Sequence, residues 1–299
     1  MSKALPLSSH DNLEGQIKIE GPWRLCWRRF LHHRLAVGSL LIITILLLST
    51  IFAPYIVPYD PNRINLSNMY QPPNWDHWFG TDELGRDMFS RVIYGGRVSL
   101  TVGLSSALFA VVIGTLLGAL AGFHGRFIDS VIMRLTDLAL TFPPLLILIL
   151  LAALFGTSLL TMIFVIAAVS WMTVTRLVRA SFLSLREQVF VEAALAQGAS
   201  NLRIMFRHIL PSVISPIVVA TTLGTAAAIL TESTLSFLGL GVQPPTATWG
   251  NMLQTSQDQM GIAPWTAMFP GLMIFLTVMV INFLGDGLRD AFDLKKIIG

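Results

Sequence analysis

What most constrains this chain is a succession of long runs without a charged side chain. A bilayer core about 30 Å thick is crossed by roughly 20 helical residues at about 1.5 Å rise each. Runs of that order lie at 35–59, 98–123, 138–175, 209–231 and 260–285. The third is too long for one span. Phe155-Gly156-Thr157-Ser158 offers a tight turn inside it, which predicts helices at about 130–154 and 158–180. Arg134 and Asp137 then fall in the first turns of the third helix. The expected count is six spans, all helical, because backbone polar groups in lipid must be satisfied within the segment.

Composition agrees: 54% of the residues are apolar and only 12% charged, with a mean hydropathy of +0.67. One uncharged run is refused as a span. The stretch 235–257 carries several glycines, a Pro-Pro pair and many polar side chains, so it predicts a loop or interfacial segment. The region 54–96, rich in Pro, Asp, Asn and Trp, is expected to be the longest loop outside the membrane, and residues 1–21 a flexible polar tail. The single cysteine, Cys26, excludes an intrachain disulfide and a cysteine metal cluster.

Orientation follows from where Lys and Arg fall. Sixteen lie in the N-terminal segment, the 124–134 and 176–208 regions and the C-terminal segment; only Arg63, Arg86, Arg91 and Arg97 lie on the other side. Both ends are therefore expected in the cytoplasm, and so is the 186–211 loop. Ahead of the first span, Trp23, Trp27, Phe30 and Leu31 recur at i, i+4, i+7, i+8 among arginines, the pattern of an interfacial amphipathic helix.

The cytoplasmic segment Glu192–Pro211 interrupts the apolar chain. Its alanine-rich start predicts a helix, Gly198 suits the left-handed position that ends one, and Ser200 suits the N-cap of a second. In that second helix Leu202, Met205, Phe206 and Ile209 form one apolar stripe, with Pro211 as a stop before the next span. Ala193 and Ala194 are small enough to admit a close partner surface, and Glu192 is placed for an ion pair or a cap. A DNA-reading helix pair is excluded by the tether between two spans, so nucleic acid is no expected partner.

These residues carry a resemblance. Glu192, Ala193, Ala194, Gly198, Ile209, Leu210 and Pro211 resemble the EAA loop of ABC-importer permeases, with His208 where the pattern has its first aliphatic. The stretch 79–103, the block around Leu235-Ser236-Phe237-Leu238-Gly239 and the block around Asn282-Phe283-Leu284-Gly285-Asp286 resemble the C-type subunit of the oligopeptide, dipeptide and nickel class, apart from Leu294 in place of a proline. The resemblance implies a type I importer permease fold with both termini inside, in a bacterial inner membrane. It implies a flexible tail over 1–21, an interfacial helix, first span and outer loop over 22–96, a permease core over 97–290 with its coupling loop at 186–211, and a tail over 291–299. It implies a second permease subunit, two ATPase subunits carrying ATP and magnesium, and an extracytoplasmic binding protein. Coupling to the ATPase falls to Glu192, Ala193, Ala194, Gly198, Leu202, Met205 and Phe206. Peptides are the implied cargo; nickel or glutathione-like cargo is the alternative.

The chain itself cannot hydrolyse ATP: its only lysines are Lys3, Lys18, Lys295 and Lys296, none in a phosphate-binding loop. Nor does it offer a catalytic constellation, its histidines lying in loops or at span ends with no H-E-x-x-H. An ion-coupled transporter or channel would need acids deep in the spans, and only Asp137, Glu232 and Asp286 come close. Counted from Ile214, Glu232 lies about 27 Å along the fifth helix, near its outer end. Two roles stay open there. Glu232 reaches water or pairs with Arg91 or Arg97; or, with Thr231 and Ser233, it lines the outer mouth of a pathway and meets a cationic cargo group.

Overall fold

The computed structural model describes residues 22–292. The expectations for 1–21, and for 293–299 with Leu294, lie outside the described residues. The elements are α1 (Pro22–His32), α2 (Arg34–Ile51), α3 (Ala53–Ile56), α4 (Met88–His124), α5 (Arg126–Thr141) and α6 (Pro144–Phe155), then α7 (Leu159–Arg186), α8 (Val189–Ala196), α9 (Asn201–Arg203), α10 (Leu210–Phe237), α11 (Trp249–Thr255) and α12 (Trp265–Phe292). Five helices are long and apolar enough to cross a membrane: α2, α4, α7, the continuous helix Asn201–Phe237 and α12. The pair α5–α6, bent by 88°, makes the sixth when counted as one span.

That pair corrects the single helix expected at 130–154. Pro143 and Pro144 remove two successive amide donors and force Phe142 out of the helical region, to φ −86°, ψ 142°. The apolar count saw through the break because both halves are hydrophobic. Since α5 begins at Arg126, Arg134 and Asp137 sit in its middle rather than its first turns. Asp129 accepts a paired hydrogen bond from Arg179 (Nη2 to Oδ2, 2.6 Å), and Asp137 accepts one from Arg176 (2.5 Å), so two ion pairs tie α5 to α7.

The span expected to begin at 98 starts ten residues earlier, at Met88. Asp87 caps it, accepting from Ser90 N–H (2.8 Å) and Ser90 Oγ (2.6 Å). Arg91 does not end the apolar run in space, because it is buried with its Nε 3.5 Å from Asp82. The boundary drawn at 96/97 thus falls inside α4, and that at 290/291 inside α12.

Helices α4 and α7 approach closely along Gly114, Gly118 and Gly122, spaced at i, i+4, i+8. A Cβ on Gly118 would stand 2.6 Å from Thr175 O, and one on Gly122 2.6 Å from Phe182 Cβ. Absent side chains let backbone meet backbone, the usual route to tight helix pairs in lipid. Around this seam lies a core of Val174, Val178, Phe182, Ile204, Met205 and Ile209.

The outer loop is a folded cap. Arg86 donates to Asp82 (2.6 Å) and Glu83 (2.9 Å), His77 Nδ1 lies 2.9 Å from Asp87, and Trp265 Nε1 donates to Thr81 O (3.1 Å). Gly80 and Gly85 take positive φ (72° and 68°), where a Cβ would strike Trp265 and Asn65 respectively. The refused stretch 235–257 is a loop followed by the short α11, with a reciprocal Thr248/Asn251 cap. It does not cross the bundle. Its Trp249 is fully buried and donates to Val92 O (2.9 Å).

Candidate coupling segment and vestibule

Helix α7 carries the chain out of the bundle to Arg186, and α8 follows after a two-residue turn. Its C-terminus is closed by Gly198 at φ +77°, with Gly198 N–H donating to Leu195 O (2.9 Å) and Ala199 N–H to Ala194 O (3.1 Å). This is a Schellman cap, which needs a left-handed residue at that position. Ser200 stands at the N-cap of α9 as expected, without a side-chain cap bond.

The second short helix is not separate. From Ile204 to Ile209 the backbone makes a π turn and then continues into α10, Leu210 N–H donating to Met205 O. Pro211 therefore does not stop the helix. In an α turn its ring would meet the carbonyl four residues back; the wider π turn relieves that contact.

The π turn also splits the expected stripe. Met205 and Ile209 are buried together with Ile204, while Leu202 and Phe206 are exposed (65% and 48%). A 3.6-residue period cannot foresee a locally larger one. On α8, Val191 and Ala194 turn inward; Glu192 and Ala193 face outward, as do Val189, Phe190 and Leu195. Hence Ala194 and Met205 are core residues rather than contact residues, and Glu192 has no ion-pair partner among the described residues. What the segment presents is an apolar surface of Val189, Phe190, Leu195, Leu202 and Phe206 around the open Gly198. Of these, Val189, Phe190 and Leu195 were missed, for they are visible only once the buried face is known.

Between α4, α7, α10 and α12 lies a cavity of about 720 Å³, running from mid-span to the inner end of the bundle. Its wall is mostly small and uncharged, including Ala107, Thr173, Ser215, Gly224 and Ala227, with Arg289 at its mouth. Thr231 follows Ala227 by one helical turn and lies on the same face of α10.

Glu232 lies on the other face. It is 0% exposed and accepts hydrogen bonds from Ser236 Oγ (2.8 Å), Ser99 Oγ (3.0 Å) and Ser233 Oγ (3.5 Å). Ser99 in turn accepts from Trp249 N–H (3.3 Å). Within this chain Glu232 is fully buried, pairs with neither Arg91 nor Arg97, and lines none of the cavities, which corrects its expected access to water and its expected ion pair. Ser233, also buried, shares that side. Distance along the helix was right; azimuth decided the role. The carboxylate ties the span to α4 and to the α11 segment.

A helical bundle with a cavity between four of its helices and a short apolar-faced segment hung between two spans is the architecture of a membrane transport component. The chain belongs to the family of binding-protein-dependent transport system inner membrane components, whose model matches residues 114–297. A second model, the N-terminal TM domain of oligopeptide transport permease C, matches residues 21–73. The dipeptide transport system permease protein DppC of Alkalihalophilus pseudofirmus is 46% identical over 282 residues, 94% of this chain and 93% of that one. A putative peptide permease protein of Brucella suis is 46% identical (91% of each chain), and the glutathione transport system permease protein GsiD of Pectobacterium atrosepticum is 43% identical (93% and 92%). A permease chain of the inward-facing MetNI methionine ABC transporter superposes with a TM-score of 0.57 at 17% identity, covering 68% of this chain and 97% of that one, a likeness of fold. The chain is an ABC-importer permease and no enzyme.

Proposed function

We propose that this chain is one of two permease subunits of a bacterial inner-membrane importer that takes peptides from an extracytoplasmic binding protein. Two ATPase subunits, holding ATP and magnesium, drive it from the cytoplasmic side. The helices α4 to α12 form the working core, in place of the 97–290 read from the sequence, with 186–211 as its coupling loop, the part of 22–96 that precedes α4 as an added N-terminal unit, and 1–21 and the residues after α12 as cytoplasmic tails.

The observation that carries this reading is the apolar surface around Gly198. Leu202 and Phe206 stand exposed on a segment rigidly continuous with α10, while α8 follows α7 directly. A docked ATPase would cover these side chains, with Glu192 and Ala193 at the edge, and its closure would move two spans at once. The cavity above the segment, with Thr231 beyond its outer end, serves as this subunit's half of the pathway. Its small uncharged wall suits cargo of varied side chains. The peptide assignment is supported by relatives named as dipeptide and peptide permeases; glutathione, itself a small peptide, is the second reading.

The test is Leu202→Glu with Phe206→Glu. The permease should insert and pair normally, yet lose co-purifying ATPase and peptide uptake. Normal ATPase attachment in that variant refutes the docking surface.

A further inference from the structure

Among the described residues, the cavity between α4, α7, α10 and α12 has a single charged side chain on its wall, Arg289. The inner end is framed by the first turns of α10 and the last turn of α12, with Ser215 and Pro216 on one side and Arg289 and Phe292 on the other. Arg289 is exposed there, and it makes no ion pair among the described residues. Asp286 stands one turn earlier on α12 and does not pair with it.

Two more polar groups on the wall are open. The hydroxyls of Thr173 and Ser215 make no side-chain hydrogen bond among the described residues, whereas Ser170 Oγ donates to Ile166 O (2.8 Å). On α10 the wall runs from Ser215 to Ala227, a rise of about 18 Å along the helix. An extended peptide advances about 3.3–3.6 Å per residue, so about five residues fit end to end. A volume of about 720 Å³ lies in the range of small-ligand sites, which are largely apolar with a few polar groups that fix orientation.

We propose that Arg289 is the subsite for the C-terminal carboxylate of peptide cargo, which lies extended in the cavity with that carboxylate at the inner end and leaves C-terminus first. This inference rests on the peptide-permease reading above. The guanidinium fork offers two parallel N–H donors to the two oxygens of a carboxylate, and no other cation lines the wall. A wall of small uncharged residues does not sort side chains, so orientation falls to a group that every unblocked peptide carries. The free hydroxyls of Thr173 and Ser215 can donate to or accept from the amides that follow.

The experiment uses the whole transporter with cysteine-free partner subunits, free of nucleotide and binding protein, in vesicles with the ATPase side outward. The alkylation rate of Ala220→Cys, on the cavity wall, is measured with a small thiol reagent in a Cys26→Ser background. Trialanine should slow alkylation several-fold and N-acetyl-trialanine equally well. Trialanine amide should do so only at about tenfold higher concentration, the fold-change expected for one charge-assisted contact. With Arg289→Gln the acid and the amide should protect alike. Equal protection by acid and amide in the Arg289-bearing chain overturns the proposal, as does an acid preference that survives Arg289→Gln, or protection by none of the three. Alkylation slowed by phosphatidylglycerol and unchanged by peptide, the mark of a lipid headgroup in the site, also overturns it. Should Arg289→Gln fail to assemble, acid against amide on the Arg289-bearing chain decides alone. Uptake of trialanine by the complete transporter with its binding protein is measured in parallel. Uptake without carboxylate-dependent protection overturns the subsite alone, and absence of uptake refutes the peptide reading and the subsite with it.

Discussion

Gly118→Ala is the sharpest test of how α4 and α7 are held together. The new methyl would stand 2.6 Å from Thr175 O, 2.8 Å from Val178 Cβ and 3.1 Å from Arg179 N. Carbon pairs rest at about 3.5–4.0 Å, so the helices must part locally by about 0.7–1.2 Å. A gap of about 0.5–1 Å forfeits a quarter to a half of each contact's attraction, and Gly114 and Gly122 lie one turn to either side. Overpacking of this kind costs about 1–3 kcal/mol, against which alanine's better helix propensity returns about 1 kcal/mol. The net expectation is a destabilisation of about 0–2 kcal/mol. The control is Gly38→Ala in α2, where a Cβ meets nothing within 4 Å and only the propensity gain remains. The two substitutions are chemically identical, so the Gly118→Ala chain should be about 1–3 kcal/mol less stable than the Gly38→Ala chain. Unfolding of the purified transporter in mixed detergent micelles, followed by tryptophan fluorescence, measures both. A Gly118→Ala chain as stable as the Gly38→Ala chain would refute the close-packing argument.

Gly198→Val forces a β-branched residue to φ +77°, costing about 1–3 kcal/mol in the turn while meeting no neighbour; the transporter should insert but lose cargo-stimulated ATP hydrolysis, measured on reconstituted complex. Glu232→Ala removes the acceptor of three hydroxyls and leaves a void, about 2–4 kcal/mol, whereas Glu232→Gln keeps an acceptor and should cost less. Uptake of cargo with free and with blocked amines should then fall alike, in step with transporter abundance; selective loss of free-amine uptake would return Glu232 to the pathway. Cysteines at Gln197 and Thr246 in a Cys26→Ser background should react with an impermeant reagent from opposite faces, and equal reaction in intact cells would break the topology.

The sequence alone determined the class of this protein and supplied the expectation for its orientation. Burying polar backbone in lipid forces long uncharged helices, and charge asymmetry across the membrane is written directly in residue positions. The Gly198 turn was legible too, because a left-handed cap follows from one residue type. The Gly114, Gly118, Gly122 seam could have been read from its spacing. Tertiary structure alone decided which way side chains face. A π turn of six residues rotated Met205 inward and left Leu202 and Phe206 outside, and Pro211 continued a helix it was expected to end. Arg91 and Glu232, charged and near span ends, looked like boundary residues but lie buried, one beside Asp82 and the other among serine hydroxyls. The partners that allow such burial are 133 residues away in the case of Ser99 and Glu232, a separation no local period records.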